Sequence, residues 1–281
     1  MSVRREARAA DDGYACELVM GLRASADAER LATELGRAVA ALRRLRTSPP
    51  GPLGDAAELQ RAGETEEALW LSFLVAIVGP APGDDPFAAI ERVRTRWADG
   101  ELADVSSAEL GPGGVGDAGK LPATIAAYRA WAERSGGQAA ALAGDPAWTP
   151  QRRFERAFER LALPGLGRAP RYGFLRLAGA LGLAAIEPSS LQVAADPRDP
   201  VVMAAKRVFG IGDTVLLERR AADLARACAL SLSDLELALR CWAASEPIPG
   251  VGDEVDADAQ ELARAALELP AGGDGEPGDA G

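Results

Sequence analysis

Apolar residues in this chain recur three and four positions apart, and β-branched runs are short, so the pattern predicts helices throughout. Ser25 or Asp27 can cap a helix reaching Arg46, with Leu31, Leu35, Val39 and Leu42 on its inward face. Residues 55–62 and 64–78 read as two more helices. The second, ETEEALWLSFLVAIV, is apolar nearly all round after Ala68 and belongs in a core. A turn over 79–86 leads into a helix over 86–98. Further helices are expected over 124–134, with Tyr128 and Trp131 packed inward, and over 150–161. Another carries Tyr172, Phe174, Leu175 and Leu177, and a last one spans 256–269. A short helix is expected at 15–23, and loops at 47–54 and 111–120. The fold class is therefore all-α, with about ten or more helices.

The most informative stretch is 199–226, DPVVMAAKRVFGIGDTVLLERRAADLAR, which reads as helix, tight hairpin, helix. Pro200 suits a first helical position, with Asp199 before it as N-cap. Val201, Val202, Ala205 and Val208 keep helical phase up to Gly210-Ile211-Gly212. Asp213 can cap the second helix, whose inward face is Leu217, Ala221, Leu224 and Cys228. A hairpin this short needs a left-handed residue, which glycine supplies without a Cβ penalty, and bare glycines let another backbone approach. The amides of Ile211, Gly212 and Asp213 would then face outward at the positive end of a helix, where a phosphate binds readily. Lys206 and Arg207 precede the turn and could reach flanking phosphates. A DNA contact would thus draw on Lys206, Arg207, Gly210, Ile211, Gly212 and Thr214. The alternative is an ordinary αα-hairpin with a glycine turn.

Three other glycine-rich segments compare with it. Leu163-Pro164-Gly165-Leu166-Gly167 is a second hairpin signal. Ile248-Pro249-Gly250-Val251-Gly252 is a third, but Asp253, Glu254, Asp256 and Asp258 follow it and would repel phosphate, so it reads as a turn. GPGGVGDAGK, residues 111–120, lacks the P-loop pattern because Leu121 stands where Ser or Thr is needed and no strand precedes it.

Composition narrows the chemistry. The 281 residues contain no histidine, which excludes histidine-activated nucleophiles and histidine metal ligands. Cys16, Cys228 and Cys241 are dispersed and suit reduced core positions in a cytoplasmic protein. The N-terminus, MSVRREARAADD, has no apolar run to serve as a signal peptide, and the longest apolar stretch, Ala68 to Val78, is too short to span a bilayer, so no membrane partner is expected. Asp84 and Asp85 in the GDDP turn read as solvated rather than metal-binding, and no cofactor or metal is called for. Net charge is −11, which opposes loose nucleic-acid binding. Yet residues 152–226 hold 13 Lys+Arg against 8 Asp+Glu, whereas 227–281 hold 2 against 12. The basic surplus coincides with the hairpin, and the chain closes on an acidic tail, PAGGDGEPGDAG.

RYGFLRLAGALGL (171–183) and AAKRVFGIGDTVLLERRAADLA (204–225) resemble the helix-hairpin-helix DNA glycosylase superfamily, nearest the α-glutamyl/putrescinyl thymine pyrophosphorylase group. The resemblance covers residues 60–245. It implies a helical fold that grips duplex backbone through the hairpin and takes a flipped base. It also implies chemistry in which an amine displaces pyrophosphate from an activated hydroxymethyl-pyrimidine. On that footing Arg168 would bind phosphate, Arg171 would stabilise the leaving anion, Tyr172 would stack on a base, and Asp213 would act as acid or base. Two of these have a plainer alternative: Tyr172 as core, Asp213 as a cap. The family's lyase lysine would fall at Thr214, so Schiff-base chemistry is not expected. Asp234, near the place of the family's catalytic aspartate, reads better as a helix cap. Two classes of function follow: a DNA-base-modifying enzyme, or a non-catalytic DNA-binding or adaptor protein whose acidic tail engages a protein partner. The expected division is an N-terminal segment (1–54), a helix-hairpin-helix domain (55–245) and a C-terminal turn, helix and tail (246–281).

Overall fold

The computed structural model describes residues 9–100, 105, 108–244 and 246–270. Among these the chain is all-α, with no strand. Its helices are α1 (Ser25–Thr47), α2 (Pro52–Arg61), α3 (Thr65–Val78), α4 (Ala88–Val93), α5 (Leu121–Arg134) and α6 (Gln138–Ala143). They continue with α7 (Pro150–Arg160), α8 (Arg168–Ala180), α9 (Pro200–Phe209), α10 (Thr214–Ala227), α11 (Leu232–Ala243) and α12 (Ala257–Ala266). The residues group into two compact units that interleave along the sequence. One comprises Met1–Val39, Pro200–Ser245 and Glu254–Gly281; the other comprises Ala40–Asp199 and Glu246–Asp253. This grouping differs from division at residues 54 and 245, because the chain leaves the first unit within α1 and re-enters it at α9.

The second unit is built around α3. Every residue from Ala68 to Val78 is buried, as its unbroken apolar run predicts. Phe73 stacks on Tyr128 at 3.6 Å between ring centroids, and Phe174 of α8 meets both rings edge-on. The C-terminal carbonyls of α3 have no helical partners of their own. Gly111 and Val115 supply them, donating to Val78 O (2.9 Å) and Ile77 O (2.8 Å). A Cβ on Gly111 would lie 1.9 Å from Pro80 O, so only glycine fits. The glycine-rich loop is thus a tertiary cap on the core helix.

Local reading misplaced several boundaries in this unit. The helix expected over 86–98 ends at Val93, and Trp97–Asp99 forms a 3-10 turn. Glu67 draws the chain onto α3 there, accepting from the Trp97 and Ala98 amides at 2.7 and 3.2 Å. The loop at 47–54 is shortened because α2 starts at Pro52, a favoured first-turn residue. Helix α6 has no local signal in the sequence. Its N-terminus is capped from α3, where the Glu66 carboxylate accepts from the amides of Gln138 (2.8 Å) and Ala139 (3.0 Å).

In the first unit α9 packs on α10 and α11, and a 3-10 turn, Glu17–Val19, lies against α9 and α10. That single turn replaces the short helix expected at 15–23. The buried faces of α9 and α10 are those the periodicity predicts. Trp242 of α11 is buried; its indole N–H donates to Asp27 O (3.2 Å), and the guanidinium groups of Arg30 and Arg207 cover the ring at 4.7 and 4.6 Å.

Candidate nucleic-acid interface

The hairpin between α9 and α10 uses its two glycines differently. Gly210 is left-handed (φ 67°) and turned inward against Gly21: a Cβ on Gly210 would lie 3.1 Å from Gly21 Cα. In return, a Cβ on Gly21 would fall 2.0 Å from Arg207 O and 2.5 Å from Gly210 N, and the Gly21 amide donates to Val208 O at 2.9 Å. The close backbone approach at Gly210 is therefore internal. Gly212 is outside the left-handed region, is exposed, and a Cβ there would meet nothing within 4 Å. Neither conformation nor packing requires glycine at that position.

The polar groups beside Gly212 are unspent. The amides of Ile211 to Val215 make no hydrogen bond among the described residues, and the helix that follows adds its positive end. Asp213 is the N-cap: its carboxylate accepts from Leu216 N–H at 2.9 Å. Thr214 opens α10, and Val215 and Leu216 follow as exposed apolar side chains, Val215 at 75%. Lys206 is half-buried in the last turn of α9. Arg207 is anchored, with Nη2 3.1 Å from the Asp27 carboxylate and its guanidinium on Trp242.

The remaining candidate residues lie in the other unit and face inward. Arg168 is 1% exposed: Nη1 donates to Asp199 (3.0 Å), while Nε and Nη2 donate to Leu191 O (3.0 and 2.6 Å). A buried cation with this many partners is a structural ion pair rather than an open phosphate ligand. Tyr172 is fully buried, its ring edge-on to Phe154 and under Arg168, and its hydroxyl donates to Ser190 O (3.4 Å). Arg171 is nine-tenths buried. Its Nε donates to Gly167 O and its Nη1 to Phe158 O, both at 3.2 Å, and it lies 4.3 Å from the Phe158 ring centre. Desolvation, with the nearby Arg168 charge, pulls its pKa below the ordinary arginine value. Its Nη2 has no partner among the described residues. In the first unit, Asp234 completes a capping box with Ser231 at the start of α11, in keeping with its reading as a helix cap.

A second hairpin, between α7 and α8, repeats the plan of the first. Gly165 is left-handed (φ 77°) and packed against Thr124, while a Cβ on Gly167 would meet nothing within 4 Å. Gly167 is the N-cap of α8, with no side-chain cap, and its amide and that of Ala169 lack partners among the described residues. The Leu163–Gly167 spacing signals this turn and places Arg171 one helical turn beyond it; the contact of Arg171 with Phe158 needs the fold. The third glycine signal is a structural turn, its Gly250 and Val251 carbonyls accepting from Arg44 Nη2 at 2.9 and 2.8 Å. No family model, curated protein or solved structure matches this chain.

Proposed function

We propose that this chain binds DNA through the hairpin between α9 and α10, with a backbone phosphate seated on the free amides of residues 211–215. The observation that carries it is Gly212, a glycine that the fold itself does not require beside five unpartnered amides. A phosphate seated on those amides would lie beside residue 212, where bare glycine leaves the approach open. Lys206 adds a cation on the approach, and residues 152–226 carry a basic surplus, 13 Lys+Arg against 8 Asp+Glu, within a chain whose net charge is −11. Few phosphates are gripped, so affinity is modest and falls as salt rises. Fluorescence anisotropy of labelled duplex and single-stranded oligonucleotides across a salt series tests this. Affinity indifferent to salt speaks against a phosphate-gripping hairpin.

Base modification, as the resemblance implies, is the enzymatic extension of the same reading. Arg171 supports it, as a largely buried guanidinium with no carboxylate partner and an uncommitted Nη2. Tyr172 and Asp213 lend it less, since one is packed in a core and the other holds a helix cap. Mass spectrometry of nucleosides from cells with and without the gene reads that chemistry directly. The adaptor alternative draws on Val215 and Leu216, apolar side chains exposed on the first turn of α10. The acidic tail it also invokes falls mostly outside the described residues.

A further inference from the structure

A half-open cavity of about 380 Å³ lies in the second unit, between α6, α7 and the turn after α8. Its lining is Ala139, Ala143, Gly144, Pro146, Leu183, Ala184 and Ala185, together with Arg153, the one charged residue among them. Arg153 Nη2 donates to Pro146 O at 3.2 Å, but Nε is buried with no hydrogen-bond partner. No carboxylate pairs with Arg153 among the described residues; the adjacent Arg152 takes Glu155 instead. Nη1 makes no hydrogen bond among the described residues, so the half-buried guanidinium keeps a donor to offer an anion in the cavity. The rest of the wall selects what kind. Small apolar residues offer no further side-chain donors for a phosphate dianion, whereas they suit a hydrocarbon body.

We propose that this cavity binds a small carboxylic acid with an apolar body, its carboxylate on Arg153 and its chain along the alanine-lined wall. The site is independent of the hairpin and stands or falls apart from DNA binding.

Isothermal titration of the full chain with octanoate tests it, with octanamide as the probe that keeps the length and loses the charge. Octanoate is expected to bind saturably, and octanamide about tenfold or more weaker, the usual worth of a charge-assisted hydrogen bond. Arg153→Gln should remove that preference, and Ala143→Phe, at an exposed position on the rim, should block both ligands. Absence of octanoate binding, equal affinity for the two probes, or full preference in a folded Arg153→Gln chain overturns the proposal. If Arg153→Gln fails to fold, the two probes on the unaltered chain, with Ala143→Phe as the blocked control, decide it.

Discussion

Gly21 and Gly210 press their backbones together, with the Gly21 amide bound to Val208 O and no room for a Cβ on Gly21. This contact, rather than any ligand, accounts for the first glycine of the hairpin. Gly21→Ala is expected to cost about 2–3 kcal/mol or more, as overpacking against backbone does. Gly210→Ala adds left-handed strain of about 1–2 kcal/mol to its own crowding. Gly212→Ala should stay within about 0.5 kcal/mol of the parent. Urea denaturation of the three variants checks the ranking, and equal costs at 210 and 212 contradict it.

Arg168 and Asp199 form a buried pair at 3.0 Å. Removing one partner leaves an uncompensated buried charge, so Arg168→Met and Asp199→Leu should each cost about 3–5 kcal/mol. The double variant should recover much of that loss. A chain that keeps its stability without Arg168 but loses DNA affinity would restore a phosphate-binding role to this residue.

Burial raises the Cys228 thiol from 9.0 to about 11, with the neighbouring Cys16 adding to it. Burial likewise raises the Tyr14 and Tyr128 hydroxyls, which also face Cys16 and Glu66 respectively. The folded chain therefore holds these protons to higher pH than the unfolded chain. The stability they confer is full below the unfolded thiol range and is lost as pH rises through the folded values. The urea midpoint should be nearly flat from neutrality to about pH 8 and fall steeply above about pH 9.5. Thiol reagents at neutral pH should label the native chain slowly, since all three cysteines are buried.

Much of the architecture is legible in local pattern. The apolar run of α3, the phase of α9 and α10, and the capping roles of Asp213 and Asp234 all depend on neighbours within a few residues. What the sequence hides is supplied from afar. Helix α6 depends on Glu66, 72 residues before Gln138. The loop at 111–115 reads as flexible until the open carbonyls of α3 are seen to need it. Arg168 reads as a phosphate ligand because its partner Asp199 lies 31 residues away across a loop. Gly210 and Gly212 look equivalent in sequence, and only the position of Gly21 separates them.

Lys206 and Arg207 are neighbours with different duties. Arg207 joins Asp27 to the face of Trp242, so Arg207→Ala should lower stability by about 1–2 kcal/mol. Lys206→Ala should weaken DNA binding about equally for all sequences and reduce the salt slope by about one. Paired anisotropy and thermal melts on both variants check the division of labour. A salt slope unchanged by Lys206→Ala removes that lysine from the interface.

The most direct measurement is DNA affinity of Gly212→Val by fluorescence anisotropy at low salt, beside its thermal midpoint. The position is open and its backbone is not left-handed, so the midpoint should stay within a few degrees of the parent's. The branched side chain would stand between a phosphate and the free amides, so affinity should fall about tenfold or more, as expected for losing charge-assisted contacts. A folded Gly212→Val chain that binds DNA as tightly as the parent would contradict phosphate recognition by this hairpin.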